Sequence, residues 1–210
     1  MILYDAVWAP NPRRVRVYLA EKGLTIERRM VDLADGENLR EPFLSVNDRG
    51  TVPVLELDDG QRIPDSVAIC RYLEALHPDP PMFGRTPEEI GQIEAWTRKI
   101  EAEGYAGVVY AFRNRNKHMV GRALSGHWPP VPQCAELVMR GQNMWNWFVE
   151  MMDARLEGRD WIATEAYSFA DLTAQITVDF AKATRLSDGA LPPALAKWHE
   201  RVSARASAAA

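Results

Sequence analysis

Asp65 and Ser66 stand at the head of a helix-forming stretch. A hydroxyl and the unpaired backbone N–H groups of a helix start make an anion site, because the helix dipole is positive there. The Asp65 carboxylate beside them can pair with an ammonium. A pocket that takes a carboxylate and an ammonium a bond or two apart fits the head of an α-amino acid. The competing reading is ordinary helix capping, which Asp and Ser supply at many helix starts. Upstream stands Val52-Pro53. Proline cannot donate to a sheet ladder, so one that opens a strand needs a reason. In the cis form it would turn the N–H and C=O of Val52 outward, toward a peptide-like ligand. In the commoner trans form it marks an edge strand.

The surrounding pattern supplies the elements that must position these residues. Thr51 to Leu57 reads as a strand, Asp58-Asp59-Gly60 as a hairpin turn, and a second strand runs to Pro64. Ile69, Tyr72, Leu73 and Leu76 then form one apolar helix face. Earlier in the chain, Ile2, Leu3 and Tyr4 make a buried strand, and a helix runs from Pro12 to about Lys22 with Gly23 as its stop. Thr25 to Asp32 reads as a strand and Asn38 to Val46 as a short helix. The order β-α-β-α-β-β-α predicts a sheet covered by helices. Pro78, Pro80, Pro81 and Pro87 mark a linker over residues 79–87, dividing residues 1–78 from residues 88–210. Beyond it helices dominate, from about Pro87 to Lys117 and from about Cys134 to Leu156. The gap between them holds Gly126, Trp128, Pro129, Pro130 and Pro132. Ser168-Phe169-Ala170-Asp171, ahead of Leu172, Ile176 and Phe180, is a capping-box pattern with a structural role.

Bulk properties narrow the function. A formal charge of −4 over 210 residues argues against a nucleic-acid surface. Cys70 and Cys134 lie far apart and form no metal or redox spacing, and Cys70 reads as a buried thiol inside the helix after Ser66. No signal peptide and no membrane-length apolar run stand out, so a cytoplasmic setting is the expectation.

Phe43-Leu44, Asn47, Gly50-Thr51-Val52-Pro53-Val54-Leu55 and then Asp65-Ser66, Ile69 and Tyr72-Leu73 resemble the glutathione-binding half of soluble glutathione S-transferases. Trp161-Ile162-Ala163 and Ser168 to Asp171 resemble the folding motif of that family's helical half. The resemblance implies an α/β thioredoxin-like N-terminal domain followed by an all-α C-terminal domain, in a cytoplasmic homodimer acting in detoxification. It implies glutathione as co-substrate and a small hydrophobic electrophile. The γ-glutamyl head would go to Asp65 and Ser66, the cysteinyl backbone to Val52 ahead of Pro53, and the glycine end to Arg40 or Asn38. Glutathione-dependent disulfide or peroxide reduction, or a non-catalytic binding protein of the same fold, are the alternatives.

Such a transferase must make the glutathione sulfur a thiolate. A free thiol titrates near about 8.5, and lowering that by about two units needs roughly 2.7 kcal/mol of preference for the anion. A hydrogen bond to a charged group supplies about 1.5–3 kcal/mol and a helix N-terminus about 0.3–1. The donor belongs within Trp8-Ala9-Pro10-Asn11-Pro12-Arg13-Arg14-Val15. Ala9 occupies the position where the serine- and cysteine-type classes carry their functional side chain, and it has no donor. Asn11 can donate but cannot accept the thiol proton, and Pro10-Asn11 resembles nu-like members that use such an asparagine. Its rival role is N-cap of the helix at Pro12. Tyr4 is the other candidate donor, with core packing the better reading. Arg13 and Arg14 could add positive field near the sulfur or meet a glutathione carboxylate, with a solvated helix face the better reading. Trp8, Tyr105, Tyr110 and Phe112, with His118, are available for an electrophile pocket, against a core role for the helical aromatics.

Overall fold

A computed structural model describes residues 1–187 and 189–210. The chain divides into two compact units. The first comprises residues 1–80, 124–129 and 209–210, and the second residues 81–123 and 130–208.

The first unit is built on four strands, β1 (Ile2–Asp5), β2 (Glu27–Met30), β3 (Val54–Glu56) and β4 (Arg62–Pro64), in the order β2-β1-β3-β4. β1 and β2 run parallel, while β3 lies antiparallel to both β1 and β4. A parallel pair needs a crossover, and α1 (Pro10–Lys22) provides it. This helix begins two residues before the expected Pro12. Its N-cap is Ala9, and prolines are tolerated in a first turn, whose N–H groups have no helical partner. Gly23 closes it with φ 62°, the left-handed conformation that a chain stop favours. The segment expected as one short helix over Asn38–Val46 is instead a 3-10 turn, Glu37–Leu39, followed by α2 (Phe43–Val46). Pro42 separates the two and is the N-cap of α2.

Alternation sorts the sheet's side chains by face. Leu3 and Leu55 are register partners and both fully buried. On the opposite face Tyr4, Val54, Val31 and Phe43 form one cluster, with the Tyr4 and Phe43 rings edge-to-face at 5.9 Å. β2 is exposed along its length, an edge strand whose first three residues are charged. α3 (Ser66–Leu76) packs against α1. Lys22 ties their far ends by donating to the carbonyls of His77 (2.8 Å) and Pro80 and pairing with Glu74 at 2.6 Å.

The second unit is helical: α4 (Pro87–Lys99), a π-helical turn (Ile100–Tyr105), α5 (Ala106–Arg115), α6 (Ala135–Leu156), α7 (Phe169–Ala183) and α8 (Pro193–Ser203). The single helix expected to Lys117 is therefore interrupted and ends at Arg115. α7 is its centre, with most of its residues buried. Asp171 anchors that helix, as its place in the capping box leads one to expect. It accepts from Ser168 N and Oγ, Ile162 N and Trp198 Nε1, each at 3.0 Å. Among the described residues no helix is long and apolar enough to cross a membrane.

Candidate active site

One row of the sheet gathers the residues of interest. Val54, the first residue of β3, pairs with Tyr4 near the end of β1 and with Pro64 at the end of β4. The chain leaving β1 reaches α1 and Asn11 through residues 6–9. The chain leaving β4 enters α3 at Asp65 and Ser66. Val52-Pro53 comes just before Val54. Antiparallel pairing thus brings three separate stretches to the same end of the sheet.

At the first of these, the Val52–Pro53 peptide is cis, the rarer state for an X–Pro bond. The ladder register begins at Val54, so the backbone of Val52 lies beyond it.

At α3, Asp65 is the N-cap, with φ 82° and ψ 128°. That conformation is costly for a residue with a Cβ, about 1–3 kcal/mol, and such costs cluster at ligand sites. Its Oδ1 accepts from Val67 N (2.8 Å) and Ala68 N (3.1 Å), while Oδ2 makes no hydrogen bond among the described residues. Capping and ligand binding therefore need not compete for one oxygen. Ser66 is 1% exposed, and its Oγ accepts from Arg14 at 3.0 Å. Arg14 itself is 2% exposed, which corrects its reading as part of a solvated face. It lies one turn beyond Asn11 on α1, so the two share a side of that helix. The Arg14–Ser66 bond consequently sets the starts of α1 and α3 next to each other.

Asn11 falls inside the first turn of α1 and is not its N-cap, which removes the capping role considered for it. Its side-chain amide makes no hydrogen bond among the described residues, although Oδ1 is buried. A thiolate accepts hydrogen bonds, so the part of this amide that could serve one is its uncommitted Nδ2 donor and not the buried oxygen. Tyr4 is different: its hydroxyl donates to Glu56 at 3.3 Å and accepts from Arg29 at 3.1 Å, inside the core cluster. The phenol is committed to the fold. Pro10 and Pro12 have no N–H and Arg13 N bonds to the Ala9 carbonyl at 3.2 Å, which leaves Asn11 N as the open amide of that helix start.

A buried ion pair fixes the loop ahead of Asn11, and reading the sequence missed it. Arg16 NH1 meets Asp5 at 2.6 Å and Arg16 NH2 donates to the Val7 carbonyl at 2.7 Å. Burial pulls the Arg16 guanidinium below its usual value, against the raising effect of Asp5. The available signal was a carboxylate closing an apolar strand, with a cation on the helix that follows.

The other candidates lie further out. Asn38 is buried and donates to the Gly50 carbonyl at 2.7 Å. Arg40 is exposed, paired with Asp35 and bonded to its carbonyl at 2.8 Å, and Asp35 raises its pKa. Trp8 is 60% exposed in the β1–α1 loop. In the helical unit Tyr105 and Phe112 pack on Phe180, with ring centroids 5.9 and 5.5 Å apart, and Tyr110 is exposed. Cys70 is fully buried and burial pushes its thiol up, which keeps it from acting as a nucleophile.

Comparison with known proteins agrees with this architecture. Residues 8–76 match the model of the glutathione S-transferase N-terminal domain, and residues 134–206 that of the C-terminal domain. Glutathione S-transferase 2 of Saccharomyces cerevisiae is 34% identical over 211 residues, covering 99% of this chain and 87% of the relative. The crystal structure of Gtt2 from Saccharomyces cerevisiae superimposes with a TM-score of 0.87 at 32% identity, covering 99% and 98% of the two chains. A glutathione S-transferase from Methylobacillus flagellatus, solved with GSH bound, gives a TM-score of 0.80 at 25% identity, covering 98% and 96%. The chain belongs to the glutathione S-transferase family of enzymes, with the family's thioredoxin-like and helical parts.

Proposed function

We propose that this chain is a cytoplasmic, homodimeric glutathione transferase that stabilises the thiolate of glutathione and conjugates it to a small hydrophobic electrophile in detoxification. The observation that carries the reading is the row Tyr4–Val54–Pro64, which brings Asn11, Val52 and the Asp65-Ser66 helix start to one end of the sheet. Residues 1–78 are the glutathione-binding domain, 79–87 the linker and 88–210 the helical domain, apart from residues 124–129 and 209–210, which group with the first unit.

Asp65 Oδ2 takes the γ-glutamyl ammonium. Ser66, at the positive end of α3, takes the neighbouring carboxylate through its N–H and O–H, while Arg14 donates to the hydroxyl oxygen and orients it. Val52, set beyond the ladder by Pro53, pairs with the cysteinyl backbone. Arg40 serves the glycine carboxylate by exchanging its exposed Asp35 contact. Asn11 donates to the sulfur. Because an amide cannot accept the thiol proton, that proton leaves to solvent on binding. The thiolate then forms the S–C bond as the electrophile's leaving group departs, or as its double bond opens and the far carbon takes a proton from solvent. Trp8, exposed in the loop ahead of Asn11, offers an apolar contact to the electrophile. Reduction chemistry would need glutathione to provide both sulfurs, since Ala9 carries no thiol.

The test is calorimetry with glutathione, followed by paired assays on an aryl halide and on a small mixed disulfide. Saturable heat and preference for the aryl halide are expected. Binding with turnover of the disulfide alone moves the activity to reduction, and no heat removes the enzyme altogether.

A further inference from the structure

The short stretch ahead of Val52 is held by ties on consecutive residues. Asn47 Nδ2 donates to the Thr51 carbonyl at 2.8 Å and Asn38 Nδ2 to the Gly50 carbonyl at 2.7 Å. The Arg49 carbonyl accepts from His127 N at 2.7 Å. This last tie comes from residues 124–129, which belong to the first unit although they fall between α5 and α6 in sequence. Their base is pinched by the bridge between Arg122 and Val131, with Val131 N bonded to the Gly121 carbonyl at 2.9 Å.

The contact is close and two-sided. A Cβ on Gly126 would stand 2.5 Å from the Arg49 carbonyl oxygen and 3.2 Å from Thr51 Cγ2, and its φ of 97° also disfavours a side chain. The Arg49 guanidinium lies 3.9 Å over the Trp128 ring, and that ring is fixed within the segment by Nε1 donating to the Ser125 carbonyl at 3.0 Å. A backbone bond, a glycine-only approach and a cation–π contact all fall on one residue, three positions before the backbone that receives the cysteinyl group.

We infer that residues 124–129 are a strap that sets the backbone of Val52 for glutathione, making Gly126, Trp128 and Arg49 positioning residues for that substrate. The inference rests on the glutathione reading of Val52. The ties of the strap fall on residues 49–51 beside Val52 and not on the helix start that carries Asn11, so it governs how tightly the tripeptide is held and not how readily its thiol ionises.

Trp128→Ala, Arg49→Ala, their combination, Trp128→Phe and Gly126→Ala provide the test. The first two should each raise the KM for glutathione by about two- to fivefold, the value of an exposed cation–π contact. The double variant should be little worse than either single one, and Trp128→Phe should recover most of the loss. Gly126→Ala should give the largest rise, about tenfold, because it displaces the backbone itself. The kcat, the KM for an aryl halide and the pH at which bound glutathione ionises should not move. Unchanged glutathione KM values, additive single effects, or a parallel fall of kcat and melting temperature would each overturn the strap. If the native chain gives no heat with glutathione, both the site and the strap are lost. Native binding with variants indistinguishable from it discards the strap alone.

Discussion

The two units each set an aspartate at a helix start, and the two carboxylates are bonded and buried differently. Asp171 is fully buried, and each of its oxygens accepts bonds from residues of the fold. Asp65 is exposed, bonds the helix through one oxygen and leaves the other open, on a backbone with positive φ. A capping pattern therefore does not announce its purpose. Whether the acid has acceptor capacity left after the helix is served, and whether solvent or a ligand can reach it, separates an anchor from a binding group.

Removing the anchor should have the largest effect. Asp171→Ala strands the buried donors of Ile162, Ser168 and Trp198, and each unsatisfied donor costs about 1–3 kcal/mol. A loss of at least about 3 kcal/mol is expected by denaturant titration, and a loss near that of an ordinary surface cap, about 1 kcal/mol, would remove its status as an anchor. Next comes pH. Burial pushes the Asp171 carboxyl up to about 6, against the pull of its hydrogen bonds. Its folded value lies above the unfolded value of about 3.9, so its contribution is complete below that pH and is lost as pH rises through about 6. The unfolding free energy of the native chain relative to Asp171→Asn should fall by up to about 3 kcal/mol between pH 4 and pH 7. A difference that grows with pH would show the ionised carboxylate to be the favoured form.

Asp65, proposed for the γ-glutamyl ammonium, should respond differently. Asp65→Asn keeps a capping oxygen and removes the charge, so glutathione affinity should fall roughly tenfold to a hundredfold, the worth of a charged hydrogen bond. Turnover at saturating glutathione should change much less, and an unaltered dissociation constant in calorimetry takes Asp65 out of the site. Asn11→Ala should give the smallest shift. The pH at which bound glutathione ionises, followed by thiolate absorbance, should rise by about one unit, equivalent to about 1.4 kcal/mol. A titration that stays in place hands the sulfur to another donor.

Several features were legible from local sequence because their causes are local. Ser168 and Asp171 lie one turn apart, Gly23 has no Cβ to oppose a left-handed stop, and Val54-Leu55-Glu56 follows the strand period. Asp65-Ser66 and Val52-Pro53 were likewise visible as groups fit for an amino-acid head and a peptide. Arg14 was misread because a cation on an amphipathic helix looks solvated until Ser66 is brought against it. The start of α1 was missed because its first turn contains two prolines, which stop a helix elsewhere. Asp5 and Arg16, or Arg49 and Trp128, are ordinary charged and aromatic residues until folding makes them neighbours.

Sequence alone determined most of the elements, their order and the chemical types that would suit a tripeptide, since periodicity, turn residues and capping groups act within a few positions of themselves. Tertiary structure decided that Val54 lies between Tyr4 and Pro64, that Asp171 has no acceptor to spare while Asp65 does, and that only glycine fits at position 126 beneath Arg49. These are matters of distance, burial and unfilled hydrogen-bonding capacity. They come into being only when stretches far apart along the chain pack together.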